Sequence, residues 1–123
     1  MYFTKENIKN KKITIIGLKK SGYSAAILAY NFGAKVFVSD CEDDNDTRIN
    51  YNKLVKKGIQ CEIGKHSERI FNSNFWVISP GVPKDIDIIR KAGKLNISIL
   101  GEIEFASKFT DKPLVAVTGS NGK

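Results

Sequence analysis

The chain is poor in the residues from which catalytic and metal centres are most often built. Its 123 residues include one histidine, His66, one tryptophan, Trp76, and two cysteines, Cys41 and Cys61. The two cysteines have no metal-ligand spacing and form no disulfide framework, which argues against a zinc module or a stapled secreted domain. Long apolar runs are missing as well. No segment approaches the roughly 18 consecutive apolar residues of a membrane helix. The stretch from Met1 to Asn7 is polar and lacks the apolar core of a signal peptide, so the expected compartment is the cytoplasm. Arginine is scarce relative to lysine, and no arginine-rich stripe interleaved with aromatics accompanies the net charge of +7. Nucleic acid is therefore not the expected partner. A basic balance does attract phosphorylated small ligands through its long-range field.

What the chain does contain is a regular alternation. The run Lys12-Ile13-Thr14-Ile15-Ile16-Gly17 is β-branched, apolar and closed by glycine, as a buried strand is. Apolar and small residues at helical spacing follow from Ser21 to Phe32, with Gly33 as the stop. Lys35 to Asp40 is a second strand, and the three segments make a βαβ unit. The Asp/Asn-rich stretch from Cys41 to Asp46 reads as a loop, with Asp46 capping a helix that runs to Lys57. Further strands are expected at Ile59 to Ile63, Phe75 to Ser79, Ser98 to Leu100 and Pro113 to Thr118. Helices are expected at Asp85 to Ala92 and Ile103 to Phe109. This pattern predicts an α/β fold, a Rossmann-like parallel sheet with helices on both faces, in a single domain. The polar stretch Thr110-Asp111-Lys112-Pro113 is the best boundary. Residues 1–110 then form the domain, and 111–123 a linker, a strand and a glycine loop that belong to the next one.

Two glycine loops carry the chemistry. The first, Gly17-Leu18-Lys19-Lys20-Ser21-Gly22, joins the first strand to the first helix, where unpaired N–H groups and a partial positive charge face any anion. It keeps the first and third glycines of the dinucleotide pattern but has Lys19 in place of the second, which disfavours a standard NAD pose. Asp40 ends the second strand, where such folds hold an acid against ribose hydroxyls; it could equally accept from a base N–H. The second loop, Thr118-Gly119-Ser120-Asn121-Gly122-Lys123, follows an apolar strand as a P-loop does, with backbone N–H groups forming an anion nest and the lysine reaching terminal phosphates.

The sequence Thr118 to Lys123 is similar to the ATP-binding loop of the Mur ligases and folylpolyglutamate synthetases. Gly17 to Gly22, Val77-Ile78-Ser79-Pro80-Gly81-Val82-Pro83 and Gly101-Glu102-Ile103-Glu104-Phe105 resemble, in order and spacing, segments of the Mur ligases that add D-glutamate to UDP-N-acetylmuramoyl-L-alanine. The resemblance implies the N-terminal, UDP-sugar-binding domain of such an ATP-dependent amide ligase in peptidoglycan precursor synthesis. Lys20, Ser21 and Gly22 would contact the diphosphate, Asp40 and Cys41 the uracil, and Gly81 would lend backbone. Gly119, Ser120, Asn121, Gly122 and Lys123 would cradle the ATP phosphates, with Lys123 taking part in the phosphate chemistry. ATP and Mg²⁺ would serve the complete enzyme and not bind tightly to this part, which is expected to be a monomer without ligase activity of its own. Lys19 stands where the family has glycine, and Cys41 where a hydroxyl residue is common. Two roles are available to Lys19: a cation beside the diphosphate, or a side chain that points to solvent.

Two other readings compete: an NAD(P)-binding domain of an oxidoreductase, and a non-catalytic module with a nucleotide fold. His66 lies in a polar stretch and is expected at the surface. Cys61, Phe75, Trp76 and Phe105 are expected to pack, and the acids Glu42, Asp43, Asp44 and Asp46 to form a solvated loop and helix cap rather than a cation site.

Overall fold

A computed structural model of the chain describes residues 8–82 and 87–109. The elements alternate as the sequence implies: β1 (Lys12–Ile16), α1 (Lys20–Asn31), β2 (Lys35–Asp40), α2 (Asn45–Lys56), β3 (Gln60–Ile63), a 3₁₀ turn (Glu68–Phe71), β4 (Phe75–Ile78), α3 (Asp87–Lys94), β5 (Ser98–Gly101) and α4 (Glu102–Ser107). The strands form one sheet in the order β3-β2-β1-β4-β5. Every pairing is parallel.

Strand alternation splits the core into two layers. Ile13, Ile15, Val38, Phe75, Val77 and Leu100 point to the face covered by α1, α2 and α4, where Ala26, Leu54 and Phe105 meet them. Ile16, Trp76 and Ile78 point to the other, covered by the 3₁₀ turn and α3 through Ile70 and Ala92. Central strands buried on both faces read as unbroken apolar runs. The four residues of β4 are all buried, whereas the edge strand β3 is only half-buried.

Local chemistry moved several boundaries. The cap of α2 is Asp44, not Asp46: its Oδ1 accepts from the Thr47 N–H at 2.9 Å, while Asp46 sits in the first turn. A cap must reach the second or third amide of the helix, and Asp44 holds that position. The 3₁₀ turn, which the periodicity does not reveal, is capped by the Ser67 hydroxyl and buries Ile70, whose carbonyl accepts from Trp76 Nε1 at 2.7 Å. Helix α4 starts one residue earlier than expected, at Glu102, and α3 continues past Ala92 to Lys94. The expected strand Pro113 to Thr118 lies outside the described residues.

Candidate functional site

All five strands are parallel, so their carboxyl ends collect the connecting loops on one edge. The strand order reverses between β1 and β4, and ligands of open α/β sheets bind in the crevice at such a point. The loop after β1 enters that crevice. Gly17 has φ +108°, and a Cβ there would stand 2.8 Å from the Cβ of Ser79 after β4. Its N–H donates to the Ser39 carbonyl at 2.9 Å, and the Ser79 N–H to the Ile16 carbonyl at 3.1 Å. Three strand ends thus meet at one glycine.

Helix α1 begins there with no side-chain cap and no acid in its first turn. Its leading amides and their partial positive charge therefore remain available to an anion. Lys20 is exposed at the same turn. Gly22 lets the helix approach the loop, since a Cβ there would lie 1.9 Å from the Gly17 carbonyl oxygen. Lys19, at the position of the family's glycine, has φ −83° and ψ −166°, an extended conformation open to any residue. Its ammonium turns toward the cap of α2, 2.5 Å from Asp44 Oδ2 and 3.7 Å from Glu42 Oε1. The Lys19 hydrogen bond, then the Thr47 amide, hold the Asp44 carboxyl well below its ordinary value. Lys19 is thus spent on neighbouring acids, and among the described residues Lys20 is the cation left at the mouth of α1.

Asp40 is buried at the end of β2. Its Oδ2 accepts from the Leu18 N–H at 2.7 Å and its Oδ1 from the Glu42 N–H at 2.8 Å. Each oxygen keeps a second lone pair for a ligand donor. Cys41 is exposed beside it, and Gly81 follows β4 with open space where a Cβ would be. Lys20, Ser21, Gly22, Asp40, Cys41 and Gly81 accordingly share one edge of the sheet. Gly119 to Lys123 lie outside the described residues.

The two thiols differ sharply. Burial pushes Cys61 up to about 12, and only the thiolate is nucleophilic. Ellman's reagent at neutral pH is expected to modify Cys41 first and Cys61 only on unfolding. Cys41→Ser should remove the fast phase, and a fast phase surviving in that variant would contradict the assignment.

His66 does not lie free at the surface as expected. It is half-buried and has partners: the Ser39 hydroxyl lies 2.7 Å from His66 Nδ1 and 2.7 Å from Glu62 Oε2. Burial lowers the imidazole pKa, against the pull of Asp40 and Glu62. Burial also works against the Glu62 charge, but hydrogen bonds from Ser67 and Ser39 outweigh it and lower that carboxyl. A carboxylate only accepts, so Ser39 donates to Glu62 and His66 donates through Nδ1. The serine sits between acid and imidazole, which is not the order of a nucleophilic triad. No sequence signal pairs Ser39 with a residue so far along the chain. Glu102 was missed differently: it lies inside a motif that the sequence displays, yet only packing brings it to the cavity that Ser21 also lines.

Residues 11–101 match the family described as Mur ligase MurD-like, N-terminal domain. The chain belongs to that family. The MurD-like chain is 40% identical over 98% of its length to the UDP-N-acetylmuramoylalanine–D-glutamate ligase of Chloroherpeton thalassium, and 42% identical over 95% to that of Koribacter versatilis. It spans about a quarter of these relatives, 26% of each. Among solved structures, the UDP-N-acetylmuramate:L-alanyl-γ-D-glutamyl-meso-diaminopimelate ligase of Neisseria meningitides shares the fold, with a TM-score of 0.67 at 20% identity over 80% of this chain and 31% of that one. The oxidoreductase reading is not favoured by these matches. Among the described residues no helix is long and apolar enough to cross a membrane, and no group of three or more His, Cys, Asp or Glu could hold a metal ion.

Proposed function

We propose that the MurD-like domain holds the UDP end of UDP-N-acetylmuramoyl-L-alanine for an ATP-dependent ligase that joins it to D-glutamate in the cytoplasm. The observation that carries this reading is the uncapped start of α1, with Lys20 beside it, at the switch point of the sheet. The α1 amides, Lys20, Ser21 and Gly22 receive the diphosphate. Asp40 takes a uracil N–H on its remaining lone pairs, Cys41 flanks the base, and Gly81 lends backbone.

Residues 1–110 constitute this domain and 111–123 the opening of an ATPase domain, in which Gly119, Ser120, Asn121, Gly122 and Lys123 cradle the ATP phosphates. Mg²⁺ accompanies ATP in the complete ligase. ATP phosphorylates the substrate carboxylate, and the amine of D-glutamate displaces phosphate to form the amide. This chain's share is to bind and orient, and the reading includes a monomer that does not ligate alone. ADP release by the purified chain would refute that last point.

Thermal-shift titration tests the binding role. A ligand that binds only the folded state adds about 2.7 kcal/mol at a concentration 100 times its Kd. UDP and UDP-N-acetylmuramoyl-L-alanine are expected to raise the Tm, and NADH to leave it unchanged. Stabilisation by NADH alone would return the chain to the oxidoreductases.

A further inference from the structure

Glu102 opens α4 directly after β5 ends. It lies on the wall shared by two cavities. One, of about 640 Å³, runs past Lys20 and Ser21 beside α1. The other, of about 580 Å³, lies behind Ser79, Pro80 and Val82 at the exit of β4. The Ser21 hydroxyl lines the first cavity with Glu102 and favours its charged form. Glu102 Oε2 is buried without any hydrogen-bond partner, the one buried side-chain polar atom so placed among the described residues.

Buried polar atoms in folded proteins are overwhelmingly paired, and an unpaired charged acceptor is the costliest exception. Burial accordingly raises this carboxyl's pKa, with the Ser21 hydroxyl opposing. Lys19, which lines the first cavity, is engaged by Asp44 and Glu42. What is lacking is a donor, and two cavities meet where one would come from.

We infer that Glu102 determines specificity by accepting a hydrogen bond from an O–H or N–H of the sugar that follows the ligand's diphosphate. The inference rests on the diphosphate lying at Lys20, Ser21 and Gly22, because that sets the next unit of the ligand at the shared wall. A sugar with hydroxyl and acetamido groups offers donors there. The free phosphate end of UDP offers acceptors and meets the carboxylate unfavourably.

Calorimetric titration of the 123-residue chain with UDP and with UDP-N-acetylmuramoyl-L-alanine separates the outcomes. Glu102→Ala is expected to weaken the sugar nucleotide about tenfold or more, the usual effect of losing a hydrogen bond to a charged group, and to leave UDP undiminished. Glu102→Gln keeps a neutral acceptor and should fall between. Equal losses for both ligands would reduce Glu102 to a buttress of Ser21, and no loss for either would remove it from the site; each result overturns the inference alone. Failure of the unsubstituted chain to bind either ligand would overturn the proposed site, and this inference with it. Circular dichroism verifies that each variant is folded, and Glu102→Gln carries the comparison if the alanine variant is not.

Discussion

Gly22→Ala is expected to destabilise the domain by about 1–2 kcal/mol and to abolish UDP binding, although the same change at an ordinary helical position would be stabilising. Helix propensity favours alanine over glycine by about 1 kcal/mol. The added Cβ, however, would lie 1.9 Å from the Gly17 carbonyl oxygen and 2.9 Å from its carbon, backbone atoms that cannot swing aside as a side-chain tip can. Either α1 or the loop must move, and overpacking of this kind costs about 1–3 kcal/mol and occasionally more. The steric term exceeds the propensity term, so the net sign is a loss. It is a large fraction of the ~5–15 kcal/mol that holds a typical domain together. Displacing α1 also withdraws the amides proposed to meet the diphosphate. Urea denaturation and UDP titration of the variant check both effects. A variant as stable as the parent would mean that α1 and the loop are not held at this distance.

Asp40→Ala is expected to cost about 2 kcal/mol and at least tenfold in UDP affinity. The carboxylate joins two loops by accepting from the Leu18 and Glu42 amides. Leu18 is fully buried, so its N–H has no water to turn to. A buried donor left unsatisfied costs about 1–3 kcal/mol. Glu42 is exposed and its amide can rehydrate, which places the estimate inside that range rather than above it. Asp40→Asn should fare little better: both partners are N–H donors, and an amide has one accepting oxygen for two donors. Chemical denaturation reads the stability and calorimetry the affinity. Stability lost with UDP affinity intact would make Asp40 a strut alone and take the uracil contact from it.

The strands were legible because each is a short β-branched run bounded by glycine or a polar loop. Their parallel arrangement was legible because a helical segment or long connection separates them. The loop from Gly17 to Gly22 was legible as a candidate anion site for the same reason: strand, glycines and helix start occur in immediate succession. The helix cap was less so. Glu42, Asp43, Asp44 and Asp46 are close alternatives in sequence, and the choice of Asp44 is reinforced by Lys19, which arrives from the β1–α1 loop. The 3₁₀ turn Glu68–Phe71 left no periodic trace, because one buried residue, Ile70, sets no period.

The sequence by itself determined the fold class, the family, and the residues Lys20, Ser21, Gly22, Asp40, Cys41 and Gly81 as a group near strand ends. These follow from local patterns: periodicity, turn chemistry and motif order all act over a few residues. Only the tertiary structure decided which of two adjacent lysines is engaged by neighbouring acids, that Ser39 bridges His66 and Glu62, and that Glu102 shares a cavity with Ser21 with one carboxylate oxygen unmet. Those outcomes depend on side chains from different strand ends meeting at one edge of the sheet. The strand order that brings them together is a property of packing, since hydrogen-bonded neighbours such as β1 and β4 are far apart in the chain.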